Sequence, residues 1–319
     1  MSQGFSIIPT DRTNNNYNAS IEFVGLRRTH YLVEIHRRMV RCIDAWCQPS
    51  FADFSDKLPE IERLFTQSKT PFLGKSVGPD EMVKLMDKAG VDHSLLSAWH
   101  RPNRILISNE DVAQFTKAYP DRFSGVATVN LEDPVAAVRE LERAVKEYGF
   151  KAVRVLPWLW KKPPTDPLYY PLYVKCVELD IPFCTQVGHT GPLMPSEVGR
   201  PIPYIDEIAL TFPQLKIIGG HIGYPWTDEM ISLCWKHENV YLDTSAYAPR
   251  FYPPQLVHYM STYGKTKVLF GTNFPMLTFS QCTAQLGELN LPADAMEHFL
   301  HLNAERLFKI PSAKTPARL

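Results

Sequence analysis

Residues 216–275 read KIIGGHIGYPWTDEMISLCWKHENVYLDTSAYAPRFYPPQLVHYMSTYGKTKVLFGTNFP, and the alternation within this stretch decides the fold. Three short apolar or β-branched runs, KIIGGHIG, VYLDTSAY and VLFGTNFP, predict strands. The segments between them, WTDEMISLCWKH and PPQLVHYMSTYG, have the period of amphipathic helices. Strands that alternate with helices favour parallel pairing through right-handed crossovers.

The same alternation extends over most of the chain. Five further strand-like runs lie upstream: RMVRCIDAWC, VDHSLLSAW, FSGVATVN, KAVRVLPW and IPFCTQVG. Helical patterns accompany them: GPDEMVKLMDKAG, PVAAVRELERAVKEYGF, YYPLYVKCVELD and YIDEIALTFP, with PADAMEHFLHLNAERLF near the end of the chain. Eight such units predict an α/β protein with a (β/α)8 TIM barrel. An open doubly wound sheet is the alternative, but no G-x-G-x-x-G follows the first strand.

Composition indicates the class of partner. The 319 residues include 34 Lys and Arg against 34 Asp and Glu, with 45% hydrophobic and 21% charged residues, as in an ordinary globular protein. A formal charge of zero gives no electrostatic signal for nucleic acid or for an anionic membrane surface. We therefore expect a small-molecule substrate, with neither nucleic acid nor membrane as partner.

Three regions are predicted along the chain: an N-terminal extension at 1–38, the barrel at 39–310 and a tail at 311–319. No apolar run approaches the ~20 residues of a membrane helix, and the start of the sequence has no signal-peptide pattern, so we expect a cytoplasmic protein. The six cysteines lack C-x-x-C pairing and are interpreted as reduced thiols.

Polar residues cluster where the predicted strands end, which is where a TIM barrel places its active site. Two histidines, His189 and His221, follow adjacent strands, and Asp243 follows the next. A single histidine at such a position is as often structural as functional, whereas two on neighbouring strands favour a site. We take His221 as the candidate acid/base, with His189 and Asp243 beside it, Asp243 orienting the imidazole of His221.

Aromatic and arginine side chains share the same end of the predicted barrel. The aromatic residues suit a flat or conjugated ligand: Trp46, Trp99, Trp158, Tyr247 and Phe274. Arg101 and Arg154 are candidate clamps for a carboxylate, because guanidinium binds carboxylate through two parallel hydrogen bonds. Arg154 is the stronger candidate, since it lies inside the run KAVRVLPW, where an unpaired charge would be costly.

The motifs VGHTGP, GGHIGYPW, YLDTSAY and FGTNFP, in this order along the chain, resemble those of the amidohydrolase superfamily, and the resemblance spans roughly residues 40–310. The most similar branch contains aminocarboxymuconate semialdehyde decarboxylase and resorcylate-type decarboxylases. The resemblance implies a homodimer and a divalent metal, zinc or manganese. Its ligands in that branch are an Asp-x-His-x-His motif on strand one, a histidine on strand five, carried over to His189, and an aspartate on strand eight. The strand-six histidine, here His221, is the acid or base.

Three positions depart from that branch. Trp46 and Gln48 stand where strand one should offer paired histidines, and Asn273 replaces the aspartate. Tryptophan offers no lone pair to a metal and amides are weak donors, so tight binding of a family-type metal is not expected. An alternative metal site would combine His189 and His221 with a thiolate of Cys47 or Cys184, although strand alternation places Cys47 on the helix side unless a bulge intervenes.

The sequence thus predicts an amidohydrolase-related enzyme, a hydrolase or carboxy-lyase, acting on a small aromatic or unsaturated carboxylic acid. His221 would move the proton, with Gln48 and Asn273 as neutral hydrogen-bonding groups in the substrate site. Two alternatives stay open: a metal-dependent hydrolase or decarboxylase with an atypical ligand set, and a catalytically silent barrel used for binding.

Overall fold

The computed structural model describes residues 40–312. The predicted N-terminal extension, 1–38, lies outside the described residues, as do residues 313–319 of the predicted tail. Eight parallel strands form one sheet in the order β1-β2-β5-β6-β7-β8-β9-β10. They are β1 (Ile43–Cys47), β2 (His93–Ser97), β5 (Phe123–Ala127), β6 (Ala152–Arg154), β7 (Phe183–Gln186), β8 (Ile217–Gly220), β9 (Val240–Asp243) and β10 (Val268–Leu269).

The first and last strands meet, which closes the barrel. Backbone bonds join Ala45 N to Phe270 O (2.9 Å) and Asn273 N to Trp46 O (2.7 Å). The buried carboxylate of Asp44 reinforces this seam, because its Oδ1 accepts the backbone N–H of Thr272 (3.0 Å) and its Oδ2 accepts the hydroxyl of the same residue. The predicted (β/α)8 TIM barrel is confirmed.

Helices follow the strands and cover the outside of the sheet. They are α1 (Phe54–Lys57), α2 (Glu62–Ser68), α3 (Pro79–Ala89), α4 (Asn109–Ala118), α5 (Pro134–Tyr148), α6 (Pro157–Trp160), α7 (Tyr170–Leu179), α8 (Tyr204–Thr211), α9 (Thr227–Lys236), α10 (Pro254–Ser261), α11 (Phe279–Thr283), α12 (Ala293–Glu297) and α13 (Asn303–Phe308), the last two joined by a π-helical turn. None of the helices in 40–312 has the length and apolar character needed to cross a membrane.

Helix α5 shows why the sequence sets these boundaries. Asp133 caps its first turn by accepting the N–H of Ala136 (3.0 Å), and Pro134 occupies the first helical position. Gly149 ends the helix with a left-handed φ of +70°. Sequence alternation did not predict one feature, a short antiparallel hairpin of β3 (Trp99–Arg101) and β4 (Arg104–Ile107) at the end of β2.

The indole of Trp46 lies in the barrel interior, and two glycines make room for it. A Cβ added at Gly220, the last residue of β8, would lie 2.6 Å from Cζ3 of Trp46. At Gly271, just after β10, an added Cβ would lie 3.2 Å from Cβ of Trp46. Small residues at these two positions therefore allow the barrel to accommodate the side chain of Trp46.

We predict that Gly220→Ala destabilises the protein by about 1–3 kcal/mol, the usual effect of overpacking a core. Urea unfolding measures the effect. Gly78→Ala is the matched control, because Gly78 has an ordinary φ of −76° and no atom within 4 Å of an added Cβ. Adding Trp46→Leu should restore part of the loss. A Gly220→Ala variant as stable as the native chain would show that the indole is not fixed there.

Candidate active site

A cavity of about 240 Å³ opens at the carboxyl ends of the strands. Its aromatic lining consists of Phe51, Phe54, Phe65, Phe72, Trp99, Trp158 and Tyr247. Its polar lining consists of Gln48, Ser50, Ser55, Gln186, His189, His221 and Asn273. Among the described residues, the lining contains no Arg, Lys, Asp or Glu. The cavity therefore suits a flat ligand whose polar groups are met by neutral donors and acceptors.

Most of the residues predicted from the sequence come together here, namely Gln48, Trp99, Trp158, His189, His221, Tyr247 and Asn273. The other five do not line the cavity. Trp46, Arg154 and Asp243 are buried in the barrel. Phe274 is buried against Phe279, with the two rings stacked at 4.6 Å.

The predicted carboxylate clamp at Arg101 is already paired. Its Nη1 and Nη2 each donate to an oxygen of Glu60 at 3.1 Å, and this pair lowers the pKa of the Glu60 carboxyl. Glu60 therefore occupies both parallel donors of the guanidinium. Arg154 likewise is not in reach as a clamp, because it lies inside the barrel at 2% exposure.

His221 is the first residue after β8 and has a left-handed φ of +72°. Its Nδ1 lies 2.6 Å from Oγ of Ser245, and the Ser245 backbone N–H donates to Oδ1 of Asp243 (2.9 Å). The edge of the Trp46 ring supports the imidazole, with ring centroids 5.3 Å apart. Ser245 thus meets the imidazole of His221, whereas Asp243 interacts with the His221 backbone. Nε2 of His221 makes no hydrogen bond to the described residues.

The barrel interior disfavours charge on the groups around His221. Burial lowers the pKa of His221 to about 3, and the nearby charges of Arg154 and His189 act in the same direction. Burial raises the pKa of Asp44 to about 7 and that of Asp243 to about 6. The lowered pKa favours a neutral imidazole at physiological pH.

Backbone strain concentrates at this end of the barrel. His221, Ile222, Ala246 and Asn273 are non-glycine residues with φ between +51° and +72°, and all four follow strands β8 to β10. Such conformations cost of order 1–3 kcal/mol each and persist where the surrounding structure holds them, often at functional sites. The strain fixes where the side chains of His221 and Asn273 point.

A network of amides occupies the mouth of the barrel. Nε2 of Gln48 donates to Oδ1 of Asn273 (3.2 Å) and to the carbonyl of Phe274 (2.6 Å). Oε1 of Gln186 accepts the indole N–H of Trp158 (2.7 Å). Gln186 and Ser245 lie at the ends of predicted strands, but the sequence assigned neither of them a role. A sequence signal for Gln186 does exist. Side chains alternate between the two faces of β7, and Phe183 packs outward against the rings of α7. Gln186, three residues later, therefore points to the opposite face, into the barrel.

This donor set does not fit a family-type divalent metal. Trp46, Gln48 and Asn273 are neutral, and His189 is exposed three residues beyond the end of β7. Across 40–312, no three His, Cys, Asp or Glu side chains form a group that could hold a metal ion.

The cysteine–histidine alternative fares no better. Burial raises the pKa of Cys184 to about 12 and that of Cys47 well above its usual range, which disfavours a free thiolate at either position. The register of β1 does shift between Asp44 and Cys47, but Sγ of Cys47 donates to the carbonyl of Leu95 (3.3 Å).

A (β/α)8 barrel with a strained histidine in a cavity at the carboxyl ends of its strands has the architecture of a TIM-barrel enzyme. An amidohydrolase family model matches residues 87–310, and the chain belongs to this family. The resemblance drawn from the strand-end motifs is confirmed.

Relatives and neighbours agree with this assignment. The chain is 25% identical over 289 residues to the gamma-resorcylate decarboxylase of Polaromonas sp. (strain JS666 / ATCC BAA-500), covering 72% of this chain and 87% of that one. An uncharacterised TIM-barrel protein of Bordetella bronchiseptica superposes with a TM-score of 0.72 at 25% identity, over 85% of this chain and 99% of that one. A Polaromonas dihydroxybenzoic acid decarboxylase with bound manganese and the inhibitor 2-nitroresorcinol shares the fold, with a TM-score of 0.66 at 20% identity over 86% and 98% of the two chains.

We predict that His221→Gln changes how the free energy of unfolding depends on pH. In the unfolded chain the imidazole binds a proton below about pH 6.5, whereas in the folded chain it does so only near pH 3. The native chain should therefore lose stability relative to the variant as pH falls between these values, by up to about 1.4 kcal/mol per pH unit. Urea unfolding of both proteins over this range measures it, and a difference that is independent of pH would contradict a neutral, buried imidazole.

Proposed function

We propose that this protein is a carboxy-lyase that removes carbon dioxide from a small aromatic carboxylic acid, with His221 as the proton carrier. The observation that carries the proposal is the neutral His221, held by Ser245 in an aromatic cavity. Family membership supports it, and so do the decarboxylases among the curated relatives. The gamma-resorcylate decarboxylases match over most of their length, which favours decarboxylation over hydrolysis.

The cavity would hold the substrate ring by its faces. Trp99 and Trp158 meet edge to face at 6.1 Å, and with Tyr247 they form an apolar wall. No guanidinium or ammonium of the described residues faces the substrate carboxylate, so it would be met by amides such as those of Gln48 and Asn273. A carboxylate with few charged partners in an apolar cavity is destabilised relative to water, and loss of neutral carbon dioxide relieves that cost.

His221 would supply the proton that the reaction needs. An arriving carboxylate raises the pKa of a nearby imidazole, so Nε2 takes a proton from water as the anion binds, and the hydroxide leaves to solvent. The bond from ring carbon to carboxyl carbon breaks, its electron pair stays on the ring carbon, and Nε2 protonates that carbon. Carbon dioxide leaves, and the imidazole returns to its neutral form while Ser245 holds Nδ1.

Two parts of the proposal rest on the sequence alone. The enzyme is proposed to be a homodimer, as the resemblance implies, and to act in the cytoplasm. A catalytically silent barrel is less well supported, because the gamma-resorcylate decarboxylases match this chain over most of their length.

We predict that the native chain releases carbon dioxide from a hydroxylated benzoate, with 2,6-dihydroxybenzoate and 5-carboxyvanillate, the substrates named for structural neighbours, as the first compounds to test. His221→Gln should lower kcat by about 10²- to 10⁴-fold, the usual contribution of a general acid. The assay follows loss of substrate and formation of the phenol by chromatography.

The matched control is His258→Gln, since His258 is exposed on α10, and its kcat should equal that of the native chain. Turnover that is equal in the His221→Gln variant would contradict the role of His221. Hydration or hydrolysis products with no carbon dioxide would contradict the proposed reaction.

A further inference from the structure

The barrel interior carries a cation of its own. We propose that the guanidinium of Arg154, held against the face of Trp46, is the resident cation of this barrel and takes the place of the divalent metal bound in related decarboxylases. This inference concerns the barrel interior and does not depend on the reaction proposed above.

Arg154 has one close partner. Its Cζ lies 3.5 Å from the centroid of the Trp46 ring, well inside the ~6 Å range of cation–π contacts. Nε, Nη1 and Nη2 are all buried and make no hydrogen bond within the described part of the chain. Burial lowers the pKa of this guanidinium only to about 10, so it is charged at neutral pH. A buried arginine without a direct ion pair is rare, and it requires a compensating arrangement of charge.

That arrangement lies on the surrounding strands. Asp44 on β1 and Asp243 on β9 are both fully buried, and their carboxyl groups interact electrostatically with Arg154 without touching it. Oδ2 of Asp243 has no hydrogen-bond partner among residues 40–312. The thiols of Cys47 and Cys184 and the imidazole of His221 also face the guanidinium. Arg154 is thus a single cation surrounded by acidic groups in a closed space.

Packing keeps a metal out of the same position. The indole of Trp46 lies against Gly220, so strand one offers no metal ligand there. A dication placed near this tryptophan would also lie close to the guanidinium, and like charges repel strongly where water is excluded. Arg154 and Trp46 together thus occupy this position, the guanidinium supplying the charge and the indole the surface on which it packs.

Chemical rescue tests whether the position is a cation site. Arg154→Ala should have a lower Tm than the native chain, and millimolar guanidinium should raise that Tm in a saturable manner. Urea, a planar neutral molecule of similar size, should not raise it. Arg122→Ala is the matched control, because Arg122 forms a surface ion pair with Asp87, and guanidinium should not raise its Tm. Equal rescue by urea would overturn the proposal, since the site would then need only a molecule that fills its volume. Rescue by neither compound would also overturn it, since nothing would then need to occupy the site.

A second experiment tests whether the charge of Arg154 weakens metal binding, and it does not depend on creating a cavity at position 154. Trp46→His, Gln48→His and Asn273→Asp are combined in two versions, one with Arg154 and one with Arg154→Gln. Zinc affinity from equilibrium dialysis should be at least tenfold weaker in the version that retains Arg154. Equal affinities, or zinc binding that is tighter with Arg154 present, would overturn the proposal. Neither experiment uses turnover, so a failure here and a failure of the proposed decarboxylation are distinguishable.

Discussion

The contact between the guanidinium of Arg154 and the indole of Trp46 is the constraint on which the centre of this barrel depends. It fills the interior that a polar or metal-binding set of side chains would otherwise line, and it leaves room only for glycine at position 220. The indole edge also supports His221, whose backbone is held in a left-handed conformation. The position of the acid/base candidate therefore follows from packing beneath the cavity as much as from the loops around it.

Above this contact the cavity is aromatic and, in its described lining, free of formal charge. Below the cavity, the guanidinium of Arg154 lies in the barrel interior near Asp44 and Asp243. This separation differs from a metal centre that touches its substrate, because the positive charge acts at a distance through a low-dielectric core. The family shares a fold, whereas the chemistry depends on which side chains occupy the ends of the strands.

The barrel could be predicted from the sequence because the spacing of apolar residues within each short segment indicates whether it forms a strand or a helix. It also identified most of the cavity lining, since strand ends converge in any such barrel. It could not show that Ser245 is the side chain that meets the His221 imidazole, or that Arg101 is paired with Glu60. These depend on side-chain geometry and on turn lengths that no pattern encodes. Arg154 was recognisable as a buried charge, but its partner, Trp46, lies on a strand more than 100 residues away.

The most direct test of this account is the metal content of the native chain, purified without chelator, dialysed against manganese and zinc, and measured by plasma mass spectrometry. The account predicts a folded protein with far less than one bound ion per chain, because Trp46 and Arg154 already occupy the centre of the barrel. One tightly bound manganese or zinc ion per chain would contradict it, since a dication could then coexist with the buried guanidinium.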